Sequence, residues 1–214
     1  MKQNKKKQKK NVATIIVPIV VAVIGLAGTI IGVLLTKYTP PSTPEPERPV
    51  LYIYKDNQSA ENHYLDISYM GSVNNGNDGS LYIDPGYRQN PRFGETCIEI
   101  RYEPLDDSHW AGMMWLSGRD NYPPSPPVDG VDTARVNKLT FWAKGNGMVK
   151  FFIENDTGAQ VSRQVELTSN WQEYTLALPR NWEQVCIGFG WSSNSIGADG
   201  EPIVFYVDEI AFYE

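Results

Sequence analysis

The sequence predicts an all-β domain, a two-sheet antiparallel sandwich, preceded by one N-terminal transmembrane helix. Three observations predict it. Residues 50–214 carry eight short runs rich in β-branched and aromatic residues: VLYIY (50–54), TCIEIRY (96–102), AGMMWL (111–116), KLTFWAKG (138–145), VKFFIEN (149–155), QEYTLAL (172–178), VCIGFGW (185–191) and IVFYVDEIAFY (203–213). Clusters of Gly, Pro, Asn and Asp separate them, and no long segment there has a helical period, although residues 131–137 suit one turn. Many short strands with long polar connections close as two packed sheets. The third observation is a stretch without one charge, residues 12–36.

The chain begins with a basic tail, residues 1–11, in which six lysines stand without an acid. Val12 to Leu35 then spans 24 residues, roughly 36 Å as a helix, enough to cross a hydrocarbon core of about 30 Å with some tilt. A cleaved signal peptide competes with this reading. Its apolar region runs only about 7–15 residues and ends in a small-x-small site, whereas this run is longer and leaves through GVLLTKYTP. An uncleaved anchor over 12–36 is therefore expected. Lysines stay on the cytoplasmic side, which places residues 37–214 outside the cell membrane. The lysine run is too short and unfolded to predict a nucleic-acid site. Pro18 is tolerable as a kink in lipid, and Gly28-x-x-x-Gly32 offers a weak homodimer contact through the helix.

Residues 37–49 follow as a linker. Five prolines (Pro40, Pro41, Pro44, Pro46 and Pro49) alternate with Ser, Thr and Glu. This composition favours extended polyproline II, a stiff stalk of about 3.1 Å per residue. The domain over 50–214 is acidic, with 11 Lys/Arg against 23 Asp/Glu, and is long enough for one good core.

The order of KLTFWAKG, WQEYTLAL, VCIGFGW and VFYVDEIAFYE resembles that of the galactose-binding-like jelly-roll superfamily, which includes many carbohydrate-binding modules of bacterial secreted and surface proteins. GETCIEIRYEP and WAGMMW are similar to the segments before those strands. The resemblance covers roughly Val50 to Glu214. It implies a jelly-roll sandwich and a non-catalytic carbohydrate-binding module, with a polysaccharide or glycan as partner. It does not fix the ligand, because this scaffold also serves protein and lipid contacts.

The binding residues are sought in SHWAGMMWLSGRDNY, residues 108–122. Trp110, Gly112 and Met114 share one face of a strand, and Ala111, Met113 and Trp115 the other. Alternation alone does not say which face is core. In KLTFWAKG, Leu139, Phe141 and Ala143 read as core, which turns Trp142 and Lys144 outward. In VCIGFGW, Val185, Ile187, Phe189 and Trp191 share a face, and Gly188 and Gly190 leave a bare strip opposite, open to a close approach. Sugars stack their C–H faces on Trp or Tyr and hydrogen-bond planar polar groups. Trp115, Arg119, Asn121 and Tyr122 beside a strand end, with Trp191 and an exposed Trp142, are therefore the expected ligand-binding residues. A protein-interaction module of the same fold is the alternative.

The resemblance also implies one structural calcium ion. Calcium takes six to eight oxygens from a tight loop, and Asn77, Asp78, Asp84 and Asp208 are the expected ligands, although no EF-hand spacing is present. Two His and two Cys, all far apart, do not suggest zinc. Cys97 and Cys186 read as separate thiols more readily than as a bridge. Catalysis has little support: no G-x-S-x-G, P-loop or G-x-G-x-x-G occurs. A glycosidase or lyase remains a third reading. A glycosidase needs two carboxylates about 5–10 Å apart across a cleft, for which Glu99 and Glu154 are the candidates.

Overall fold

Alternating and β-rich runs pair as strands throughout. The computed structural model describes residues 47–71, 79–104, 109–118, 130–194 and 201–214; residues 47–214 form one compact unit. Among the described residues twelve strands occur: β1 Leu51–Tyr54, β2 Leu65–Gly71, β3 Gly79–Tyr87, β4 Cys97–Pro104, β5 Ala111–Leu116, β6 Val131–Asp132, β7 Lys138–Gly145, β8 Met148–Asn155, β9 Gln160–Glu166, β10 Gln172–Ala177, β11 Gln184–Ser193 and β12 Ile203–Tyr213. They make two antiparallel sheets. The front sheet runs β10-β7-β12-β4-β3, with β1 also on β12; the back sheet runs β2-β5-β11-β8-β9, with β6 also on β11. This is the expected all-β sandwich. Residues 133–136 form a single turn closed by Val136 N–H to Thr133 O.

All eight predicted runs appear as strands. Four further strands were not predicted, and two of them show why. β9, QVSRQVE, is mostly solvent-facing and pairs only with β8, so only Val161 and Val165 carry an apolar signal. β3 contains Asp-Pro-Gly, which reads as a turn; its pairing with β4 shifts register between Asp84 and Tyr87, a bulge that accommodates Pro85 and Gly86 inside the strand.

The two sheets meet through rings. Phe141 of the front sheet lies 4.7 Å from Phe151 and 5.1 Å from Phe189 of the back sheet. Phe205 of the front sheet meets Trp191 of the back sheet at 5.1 Å, nearly perpendicular. Such pairs add about 0.5–1.5 kcal/mol each beyond area burial. Ile98, Ile100, Leu139, Val149, Ile153 and Val207 fill in around them, all fully buried.

Two bulges override simple alternation. In β11, the pairing shifts register between Ile187 and Phe189 opposite β5, and between Val185 and Ile187 opposite β8. Ile187 therefore turns to the outer side of the back sheet, where it joins Met114, Leu116 and Phe152 in a second apolar cluster. This corrects the expectation that it shares a face with Phe189 and Trp191. In β12, Glu209 has φ 49° and the pairing with β7 slips between Asp208 and Ala211. The extra residue lets both Val207 and Ile210 point into the core.

Cys97 lies on the front sheet and Cys186 on the back sheet, both buried and both free thiols. Burial raises their pKa values to about 12 and about 11, so neither is a reactive thiolate at neutral pH. The expected tail, membrane anchor and most of the linker, residues 1–46, lie outside the described residues. No helix among the described residues is long and apolar enough to cross a membrane.

Candidate functional site

The inner side of the front sheet is apolar, so alternation fixes what its outer side presents. Ile98, Ile100, Leu139, Phe141, Ala143, Phe205 and Val207 point inward. Glu99 and Arg101 of β4, Trp142 and Lys144 of β7, Tyr206 of β12, and Tyr82 and Asp84 of β3 therefore stand outside. Strand register lines these up across the sheet. Lys144 pairs with Tyr206, Tyr206 with Glu99, and Glu99 with Asp84, one cross-strand row over four strands. In the next row on one side Asp208 pairs with Trp142; on the other, Arg101 pairs with Tyr82.

Side-chain contacts tie the rows into a platform. The Lys144 ammonium lies 4.7 Å from the Trp171 ring centre and 5.0 Å from that of Tyr206. Lys144 Nζ and Trp171 Nε1 both donate to the Asn90 carbonyl, each at 3.3 Å. Tyr206 packs on Tyr87 with ring centres 5.2 Å apart. Its hydroxyl donates to Glu99 Oε1 at 3.2 Å, the oxygen that also accepts from Arg101 Nη2 at 2.8 Å. Burial, then the bond to Tyr87 and the charge of Glu99, raise the Tyr206 pKa well above its ordinary value, so the phenol remains a donor. Tyr82 is 53% exposed at one margin and Phe93 39% exposed at another.

The loop over residues 88–96 completes this surface, and two carboxylates hold it. Asp208 Oδ2 accepts the Arg92 and Phe93 backbone N–H groups at 2.7 and 3.0 Å, while its Oδ1 accepts that of Glu209 at 2.8 Å. Asp56 Oδ1 accepts the Glu95 and Thr96 backbone N–H groups, each at 2.9 Å. Gly94 takes φ +58° against the Asp56 carboxylate, where a Cβ would collide with it. Held in this way, the loop lays the Arg92 guanidinium 4.3 Å from the Trp142 ring centre and 4.5 Å from that of Phe93. Phe93 in turn meets Trp142 edge-on at 5.9 Å. The residues are pre-placed, which lowers the ordering cost of a bound ligand.

The predicted site residues are only partly at this surface. Trp142 is there, half-buried under Arg92 and Phe93 instead of fully open. Trp115 and Trp191 are core residues, 4% and 0% exposed. This corrects the expectation that they edge a ligand site: both rings are enclosed between the sheets, Trp115 against Phe189 at 5.5 Å and Trp191 against Phe205. The glycine strip of β11 is not open either. The Tyr64 ring covers Gly188 and the Phe152 ring covers Gly190. Arg119, Asn121 and Tyr122 lie outside the described residues.

Of the expected calcium ligands, Asn77 and Asp78 also lie outside the described residues. Asp84 Oδ1 accepts the Gly86 N–H at 2.8 Å, and Asp208 anchors the loop. Among the described residues no three His, Cys, Asp or Glu side chains converge as metal ligands. Glu99 and Glu154 face outward from different sheets, with the core between them, so no single cleft holds both. Burial raises the Glu154 pKa, against a hydrogen bond from Gln160 at 3.4 Å.

The sequence reading missed Arg92, Phe93, Trp171, Tyr82, Tyr87 and Tyr206. For Tyr206 the signal was present: in IVFYVDEIAFY the residues alternating with Ile203, Phe205 and Val207 are Val204 and Tyr206.

No protein-family model matches the sequence, and no curated protein matches it. Solved structures similar to this one include a family 29 carbohydrate-binding module, at TM-score 0.42 and 14% identity over 76% of this chain and 86% of that one. A mutant of such a module complexed with mannohexaose gives TM-score 0.45 and 13% identity over 77% and 92%. Another complexed with cellulohexaose gives 0.41 and 13% over 75% and 87%.

Proposed function

We propose that the domain is a carbohydrate-binding module that holds a polysaccharide across the outer side of the front sheet without cleaving it. The observation that carries this reading is the interleaving of rings and charges in one pre-set surface: Trp171, Lys144, Tyr206 and Glu99, flanked by Arg101 and Tyr82. A pyranose needs both at once, an aromatic face for its C–H groups and planar or charged partners for its hydroxyls. A protein-docking surface has the opposite arrangement, an apolar centre depleted of charge within a polar rim. Here Lys144 and Glu99 lie at the centre, 9% and 2% exposed. Glu99 and Glu154, the carboxylate pair a glycosidase reading would use, share no cleft.

The test is affinity electrophoresis of the full-length chain in detergent through gels containing soluble polysaccharides. Trp171→Ala and Tyr206→Ala are expected to weaken retardation by about 1–3 kcal/mol in binding free energy each, with little change in melting temperature for the half-buried Trp171. Undiminished retardation in both variants, or no polysaccharide that retards the unaltered protein, sinks the reading.

We further propose that residues 12–36 tether the domain to the outer face of a cell membrane, N-terminus inside. The uncharged 25-residue stretch and the lysines before it support this. Protease added to intact cells is expected to release the domain and leave a short membrane fragment. Recovery of the protein from the medium with a new N-terminus near residue 37 would show cleavage instead.

A further inference from the structure

The outer side of the back sheet carries a second hollow, remote from the front platform. Its floor follows from register. Gly112 pairs with Ser192, Ser192 with Lys150, and Lys150 with Gln164. Val149, Phe151 and Ile153 point into the core, so Lys150 points out, and the row lies on the outer side. Gly112 and Ser192 are small, and they leave a depression of about 270 Å³ lined by Trp110, Met148, Lys150, Gln164, Ser192 and Asn194. Trp110 stands just ahead of β5 and shares the outer side with Gly112. It is 42% exposed, more than any other tryptophan among the described residues.

The chemistry of this hollow differs from that of the front platform. Its lining offers one large ring, one ammonium group, two amides and two serine hydroxyls and no carboxylate among the described residues, while Glu166, opposite Met148, and Glu154, which feels the charge of Lys150, stand beside it. The front platform instead balances Lys144 and Arg101 against Glu99 and Asp84. From this composition we infer that the hollow is a second sugar subsite and that it selects a single acidic sugar residue, one carrying a carboxylate or a sulfate. The ring stacks on Trp110, the anionic group pairs with Lys150, and the hydroxyls meet Gln164, Asn194 and Ser192. The domain's net charge of −12 over residues 50–214 repels a long polyanion, so the ligand is an isolated acidic unit and not a densely charged chain. The two sites lie on opposite sides of the sandwich. One domain with both in use bridges two glycan chains.

Saturation-transfer NMR on the full-length chain in detergent tests this, with methyl glucuronide, glucose 6-sulfate and methyl glucoside as probes. The probes are applied to a Trp171→Ala, Tyr206→Ala background, which removes the front platform's two rings; there the acidic probes are expected to receive saturation and the neutral glucoside much less. Adding Trp110→Ala to that background is expected to abolish transfer to the acidic probes, so this inference and the front-sheet reading fail separately. Lys150→Gln is expected to cost about tenfold in affinity for the acidic probes and to leave the neutral one unchanged, the loss of one charge-assisted hydrogen bond. A response to only one acidic probe identifies which anion the site takes. Equal transfer to acidic and neutral probes, or undiminished transfer in Trp110→Ala, overturns the inference.

Discussion

Trp191→Ala is expected to lower the unfolding free energy by roughly 3–5 kcal/mol, the cost of deleting a large ring from a close-packed core. The indole is 0% exposed and meets Phe205 at 5.1 Å. Phe205 also touches Phe151, and Phe151 touches Phe141, so the cavity would open where the two sheets interdigitate. Domains of this size hold only about 5–15 kcal/mol in total. A loss of this order lowers the melting temperature by roughly 10 °C. Trp191→Phe is expected to cost far less. It keeps a ring in place and removes the buried Nε1–H, which has no hydrogen-bond partner and carries a penalty of about 1–3 kcal/mol. Thermal melts of the two variants check both statements. A Trp191→Ala protein that melts normally but binds poorly would move the ligand site back to Trp191.

Trp191 also shows how far the sequence could be read. Period-2 alternation is reliable where one face is core and the strand has no bulge. β7 is such a strand, and Trp142 and Lys144 stand outside as expected. β5 is not, because all six of its residues are buried: Met113 and Trp115 pack into the core and Met114 and Leu116 into the outer cluster. With both faces apolar, alternation loses its reference. β11 adds a bulge at Ile187; the adjacent Gly188 is a residue that in a strand marks either a bulge or a close approach, and the pattern alone does not say which. The loop over residues 88–96 was illegible for another reason. Asp56 reaches it from 39 residues away and Asp208 from 116. A polar turn of no evident pattern thereby becomes fixed and carries Arg92 and Phe93 to Trp142.

Asp208→Ala is expected to be the most damaging single change to the front platform. The carboxylate is 0% exposed and accepts three backbone N–H groups, from Arg92, Phe93 and Glu209. Each donor left buried without a partner costs about 1–3 kcal/mol. Arg92 and Phe93 can escape that cost only if their loop swings out to water, and then they no longer cover Trp142. Stability and polysaccharide binding are therefore expected to fall together. Asp208→Asn keeps one carbonyl oxygen for the loop and is expected to be milder on both counts. It also isolates the charge. Burial raises the Asp208 pKa to about 6 from an ordinary 3.8, against the pull of its three N–H donors, and burial raises that of its neighbour Glu209 in the same direction. A carboxyl with a raised folded-state pKa binds more protons folded than unfolded between those two values. The Asp208 contribution to stability is therefore fully present below about pH 4, declines as pH rises to about 6, and is constant above. Denaturation at a series of pH values is expected to show this decline in the unaltered protein and a shallower one in Asp208→Asn, where only Glu209 and other carboxyls still titrate. Identical pH profiles for the two proteins would mean that the Asp208 pKa is the same folded and unfolded, its hydrogen bonds to the loop balancing its burial.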